Sequence, residues 1–329
     1  MKEKENNISK QELFLLKEYS SMDNQQLSEL YDSHGTVSEK DWKNFVYYAL
    51  LVSGAGFLIS GIVFFFAFNW DNMPKSVKFS LIGAGLLLSV YFSLTNRVKE
   101  GIQKISLLAS TVLVGVLMAV FGQTYQTGAN AYDLFLTWLV VITPLTVLSK
   151  FTYQWLFYSI LANTTVILAL VQLLQVDSIF MGILYLLGTN LLLFILPQLK
   201  LVAADFKIDQ FYKQIQLIAI YLLAATGVGF WLFTNTQRHE ANDVQGATWT
   251  LISALLVLVA GLGMGWKQKQ IYLFSYAFIA CISCGLMLLM KLVEDGAEGL
   301  LVYMLYSIGA IFLIIKVVSM KSKAWKHEE

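Results

Sequence analysis

Ten apolar stretches, each close to the length that crosses a bilayer, fill almost everything after residue 44 of this 329-residue chain. A hydrocarbon core of about 30 Å takes roughly 20 residues of helix to span. The first run, 45–68, contains no charged residue, and the others fall at 77–95, 105–122, 134–149, 154–175, 178–197, 214–233, 248–266, 271–291 and 299–319. Charged residues make up only 14% of the chain, against about a quarter in soluble domains. The expected fold is therefore all-α: a polytopic transmembrane helix bundle of about ten spans. A cytoplasmic helical segment (1–44) precedes the membrane domain (45–320), and a short cytoplasmic tail (321–329) follows it. The N-terminal segment has no apolar core followed by a small-residue cleavage site, so the first span is expected to be an uncleaved anchor.

The net charge of +1 conceals an asymmetry that sets the topology. With the N-terminus inside, fourteen basic residues flank or join the spans on the cytoplasmic side, among them Arg97, Lys99, Lys104, Lys150, Lys213, Lys267 and Lys269. Only Lys75, Lys78, Arg238 and Lys291 fall outside. Positive loops stay in the cytoplasm, so both termini are expected there, in a multi-pass inner-membrane protein. The bilayer is its first partner. The N-terminal segment carries nine acids against six lysines, which argues against nucleic acid as another. Within that segment the pairs Ser9/Glu12, Asp23/Gln26 and Ser38/Asp41 have the spacing of helix caps.

Little in the spans resembles catalytic or metal chemistry. Cys281 and Cys284 share a helix face, which reads as packing by two small polarizable residues. The three histidines all lie outside the spans, and no second thiol pair completes a metal site. No Walker loop, HExxH motif or nucleophile–base set occurs. The reading is a non-enzyme with no catalytic residue, no metal site and no cofactor. The run Gly261-x-Gly263-x-Gly265 ends a membrane-depth helix and follows no strand, so it is read as helix packing. The amides within the spans, Asn163, Gln172, Gln175 and Asn190, are read as interhelical hydrogen bonds.

Two turns on the outer side carry the most information. The first follows the span at 45–68 and reads Asn69-Trp70-Asp71. The second runs from Gly122-Gln123-Thr124-Tyr125-Gln126-Thr127-Gly128 to Asp133 and continues into Leu134-Phe135-Leu136-Thr137-Trp138. A membrane helix ending in Asn-Trp, then Gly-Gln-x-Tyr-Gln-Thr-Gly leading into Leu-Phe-x-x-Trp, resembles the bacterial membrane-protein family known as domain of unknown function 2157. Asn163 fits the same pattern. The resemblance covers about 36–170 and implies a membrane fold without an assigned reaction.

The chemistry of the turns reads independently of that resemblance. Trp70 suits the headgroup layer, and Asn69 and Asp71 suit a helix end. Polar, glycine-containing backbone beside membrane helices is tolerated where protein buries it or where it lines a wet cavity. The candidate ligand-binding residues are Asn69, Trp70, Asp71, Gln123, Tyr125, Gln126, Thr127 and Asp133, and the two turns are expected to meet. Two functions stay open. One is transport or binding of a small polar ligand at the extracytoplasmic face. The other is a structural or assembly subunit that works with another membrane protein.

Overall fold

The computed structural model describes residues 70–326 except Thr127, Asp177, 200–207, 235–240 and 294–295; before residue 70 it describes Asp23, Gln26 and part of 42–68. The side chains of 241–243, 297–298 and Lys326 are likewise outside the description. The chain divides into two compact units, Met1–Pro74 and Lys75–Glu329.

In the first unit the described residues between 42 and 68 are all helical, in line with the first expected span, most of which lies outside the description. The Gln26 carboxamide accepts the Asp23 N–H at 3.2 Å, one arm of the expected capping box. The other two expected caps lie outside the described residues. The unit ends in a turn, with the Met73 N–H donating to the Trp70 carbonyl at 3.1 Å.

The second unit is helical throughout its described elements. Its helices are α1 (Lys75–Leu94), α2 (Glu100–Tyr125), α3 (Ala131–Leu148), α4 (Thr152–Leu168), α5 (Ile179–Ile195), α6 (Gln210–Phe233), α7 (Ala241–Lys267), α8 (Ile271–Leu292) and α9 (Ala297–Lys326). All nine are long and apolar enough to cross a membrane once the π-helical turn Ala169–Leu173 and the 3-10 turn Leu196–Gln198 are added to α4 and α5. Each matches an expected span to within a few residues. The main differences are α7, which already starts at Ala241, and α9, whose lysine-bearing end stays helical to Lys326.

Packing centres on α6, which lies against α4, α5, α7 and α8. Half of its most apolar window is buried, whereas none of α9's is. The core cluster joins Leu187 of α5, Ile220, Tyr221 and Ala224 of α6, Ala254 and Leu258 of α7, and Ala277 of α8. Small residues let these backbones approach. Any side chain on Gly261 would run into Tyr221, and a Cβ on Gly265 would sit 2.6 Å from the Phe274 backbone nitrogen, while Gly263 has open space around it. The glycine run is thus a packing stripe with two working positions.

Polar side chains inside the bundle pair across helices. Asn190 donates to the Asn163 carbonyl oxygen at 2.7 Å, and Asn163 donates back at 3.3 Å, closing a reciprocal amide pair between α4 and α5. Fully buried Tyr212 donates to the Leu193 carbonyl at 2.8 Å. Helix α9 is held mainly on α8: the Tyr306 hydroxyl donates to the Ile282 carbonyl at 2.9 Å, and Trp325 meets Phe274 edge-on at 5.7 Å.

Candidate functional site

The second motif turn is tighter than its sequence suggests. Gly122, Gln123, Thr124 and Tyr125 continue α2, and the chain leaves the helix at Gln126, whose φ of 46° is left-handed. Gly128 repeats that conformation at φ 66°. Left-handed backbone suits glycine and strains other residues, so Gln126 occupies a position that a glycine would fill more easily. Gly122, which opens the motif, is an ordinary helical residue.

Helix α3 then starts with a capping box. The Asn130 N–H donates to the Asp133 carboxylate at 3.1 Å, and the Asn130 side chain accepts from the Asp133 N–H in return. The carboxylate also sits at the positive end of the helix dipole. One turn on, Thr137 donates to the Asp133 carbonyl at 2.7 Å, on the same face as Asp133. A further helix lends support: the Tyr132 N–H, one of the donors a helix start leaves unpaired, reaches the Gln172 carboxamide at 2.9 Å. Gln172 stands on the π-helical turn after α4.

The motif tryptophan anchors this assembly. Trp138 donates its ring N–H to the Thr111 carbonyl of α2 at 2.7 Å, and its indole lies where any side chain on Gly115 would collide. At the same residue of α2, the Thr111 hydroxyl donates at 3.4 Å to Gln154 of α4, which is fully buried and donates to Thr146 at 3.3 Å. Helices α2, α3 and α4 are therefore pinned through side chains at membrane depth, beneath the turn.

A pocket of about 800 Å³ opens between the ends of α2 and α3. Gln123, Asn130, Asp133 and Thr137 supply its polar groups, and Leu117, Met118, Phe121 and Leu134 its apolar wall. From Leu117 to Gln123 it extends roughly 9 Å along α2 at 1.5 Å per residue. The structure brings two of the candidate residues, Gln123 and Asp133, to this pocket. It places Tyr125 elsewhere, in an aromatic cluster with Phe121 at 4.8 Å and Phe79 of α1 at 6.0 Å. Lys75 lies over that ring at 5.5 Å and reaches toward the Thr124 carbonyl at 3.4 Å. Gln126 is exposed and does not line the pocket. Thr127 and Asn69 lie outside the described residues, and Trp70 and Asp71 belong to the first unit, so the expected meeting of the two turns is not described.

Sequence reasoning passed over Asn130 and Thr137. The Asn-x-x-Asp spacing at 130/133 is that of a helix cap, and a helix starting there places Thr137 directly above Asp133. Both were within reach of the pattern. Among the described residues, no three His, Cys, Asp or Glu side chains gather in a way that could hold a metal ion.

Comparison with known proteins adds a membrane family. A family model described as "Predicted membrane protein (DUF2157)" matches residues 18–155, the family that the two motifs resemble. The match takes in both turns, the pocket and helices α1–α3, and stops just inside α4, short of Asn163. No curated protein and no solved structure matches the chain. Fold and family description agree on the class: this is a polytopic helical membrane protein.

Proposed function

We propose that the chain is a bacterial inner-membrane protein, with both termini cytoplasmic, that binds a small polar ligand in the extracytoplasmic pocket between α2 and α3. The observation that carries this reading is the pocket itself. Its volume falls in the range of small-molecule sites, which are mainly apolar with a few convergent polar groups. Gln123, Asn130 and Thr137 offer neutral hydrogen bonds, and Asp133 adds one carboxylate already engaged by its own helix cap. That set suits a ligand with hydroxyl, amide or amine groups and an apolar portion against Leu117 and Phe121. The pocket occupies the outer part of α2, which supports binding at the surface. Its groups hold and orient a molecule; none is set up as a nucleophile with a base beside it.

Thermal denaturation of the purified protein tests the reading against a panel of sugars, polyols, amino acids and amines. At least one compound class should raise the melting temperature, and Gln123→Ala or Thr137→Val should abolish the rise. In a background without Cys281 and Cys284, Thr137→Cys should react with a membrane-impermeant maleimide in intact cells. An inert cysteine there would sink the proposal.

The alternative of a subunit that partners another membrane protein draws on α9, which packs on α8 and leaves Leu301, Leu305, Ile308 and Phe312 facing outward. A partner subunit would co-purify and would show no shift with any small molecule.

A further inference from the structure

A second pocket, of about 610 Å³, lies at the opposite ends of the same helices, where the close of α1, the start of α2 and the close of α3 meet. Its mouth is charged, with Glu100, Gln103, Lys104 and Lys150 in the lining. Its inner wall is apolar. Helices α2 and α3 run in opposite directions, so Leu107 and Leu145 both lie on the membrane side of those charges. Leu107 is roughly 10 Å along α2 from Glu100 at 1.5 Å per residue. Leu148, also in the lining, is 77% exposed, and neither Leu107 nor Leu145 is buried. This wall is therefore open surface and not core.

The polar groups of the pocket differ in what is left to them. Lys104 is committed: its Nζ pairs with Glu100 Oε1 at 2.6 Å and lies 6.0 Å from the centre of the Phe151 ring. Glu100 is not used up by that bond, because a carboxylate has a second oxygen and this side chain is 77% exposed. Gln103 donates its carboxamide nitrogen to the Thr95 carbonyl at 2.7 Å, which leaves its oxygen to accept. Lys150 has no carboxylate within ion-pair distance among the described residues. Its backbone is left-handed, at φ 47°, a conformation that glycine adopts at less cost. Ser149 fixes the turn that holds it: the hydroxyl donates to the Thr146 carbonyl at 2.8 Å and accepts the Phe151 N–H at 3.3 Å. The pocket thus presents one unpaired cation from the end of α3 and two acceptor oxygens from α2, one of them anionic.

We infer that this pocket binds a phosphodiester carrying a primary ammonium, the chemistry shared by the headgroup of phosphatidylethanolamine and by soluble glycerophosphoethanolamine. The phosphate pairs with Lys150. The ammonium has three donors and no acceptor, and it takes the second Glu100 oxygen and the Gln103 oxygen. A headgroup of net negative charge meets the Glu100 carboxylate as a like charge, which is unfavourable. A quaternary ammonium has no N–H and leaves both acceptors unmatched. The open wall of Leu107, Leu145 and Leu148 lies where acyl chains leave a headgroup, which favours the lipid over the soluble diester. These residues are separate from those of the outer pocket, and the inference holds whichever side of the membrane this end faces, so either reading can fail alone.

The test uses the full-length protein in phosphatidylcholine nanodiscs, its melting temperature followed as phosphatidylethanolamine or phosphatidylglycerol replaces part of the host lipid. Phosphatidylethanolamine should raise the melting temperature, and phosphatidylglycerol should raise it less. Lys150→Gly suits the left-handed backbone, so it should melt no lower than the parent in phosphatidylcholine alone. It should nonetheless lose about fivefold in apparent affinity for phosphatidylethanolamine, the upper end of an exposed ion pair. Glu100→Gln should reverse the preference and make phosphatidylglycerol the better stabiliser, whereas loss of a merely structural residue would lower both responses alike. Lys323→Gln, at an exposed lysine of α9 outside the pocket, should change neither. Glycerophosphoethanolamine added in detergent should stabilise the parent less than the lipid does; an equal shift would support the same chemistry with the soluble diester as its source. No shift with either ethanolamine probe, a parent that prefers phosphatidylglycerol, or an unchanged preference in Glu100→Gln would overturn the inference.

Discussion

Single residues decide where these helices can touch. Gly115 and Gly265 each face something that cannot give way: an indole held by its own hydrogen bond in one case, backbone in the other. Gly115→Ala and Gly265→Ala should each destabilise the protein by about 1–3 kcal/mol, the usual cost of overpacking, as a lower melting temperature in detergent. Gly263→Ala meets open space and replaces a poor helix former by the best one, so it should be neutral or slightly stabilising. Equal losses at Gly263 and Gly265 would show that the stripe is not a packing surface. Sequence alone identified the stripe but could not rank its members, because the rank depends on which face α8 covers. The same limit explains Tyr125. Its motif position marked it as important, but only the placement of α1 shows that it faces Phe79 and Lys75.

At the scale of elements, apolar run length located the helices well, and local polarity located their ends less well. Residues 123–125 are polar and follow a glycine, yet α2 continues through them because a lone glycine in a helix costs only about 1 kcal/mol. The π-helical turn at Ala169–Leu173 left no trace in the apolar pattern, and it is this turn that carries Gln172, the acceptor of the Tyr132 N–H. Of the amides read as interhelical bonds, Asn163 and Asn190 meet as expected and Gln172 reaches a backbone N–H. Gln154 was not singled out by its sequence context, yet it is the most buried amide of the α2–α4 network. Pairing energies inside membranes average about 0.6 kcal/mol and reach about 1.7. Asn163→Leu and Asn190→Leu should therefore each destabilise within that range. The double variant should cost less than the sum of the two, since neither amide is then left alone. Strict additivity in the melting data would mean that the pair is not coupled.

At the scale of the whole molecule, the helix ends add to the charge asymmetry on which the proposed topology rests. Besides the basic residues in the loops, four non-glycine residues among the described ones have left-handed backbone: Gln126, Lys150, Gln175 and Lys269. With helices alternating in direction, the two lysines share one end of the bundle and the two glutamines the other, the same asymmetry that the loops carry and from which the positive-inside rule predicts a cytoplasmic face for the lysines. In a cysteine-free background, Asn72→Cys should be labelled by an impermeant reagent in intact cells, and Lys150→Cys only after permeabilisation. The reverse pattern would invert the molecule and place the α2–α3 pocket inside. The central position of α6 also bears on how the protein is made. Of its three main neighbours, α7 and α8 are synthesised after it, so about 60 more residues must emerge, roughly 3–12 s at 5–20 residues per second, before they cover it. During that interval α2 and α3 can already pair through Trp138, while the face of α6 that α7 and α8 cover stays open. The N-terminal half can thus mature on its own schedule, and errors of assembly should concentrate at α6.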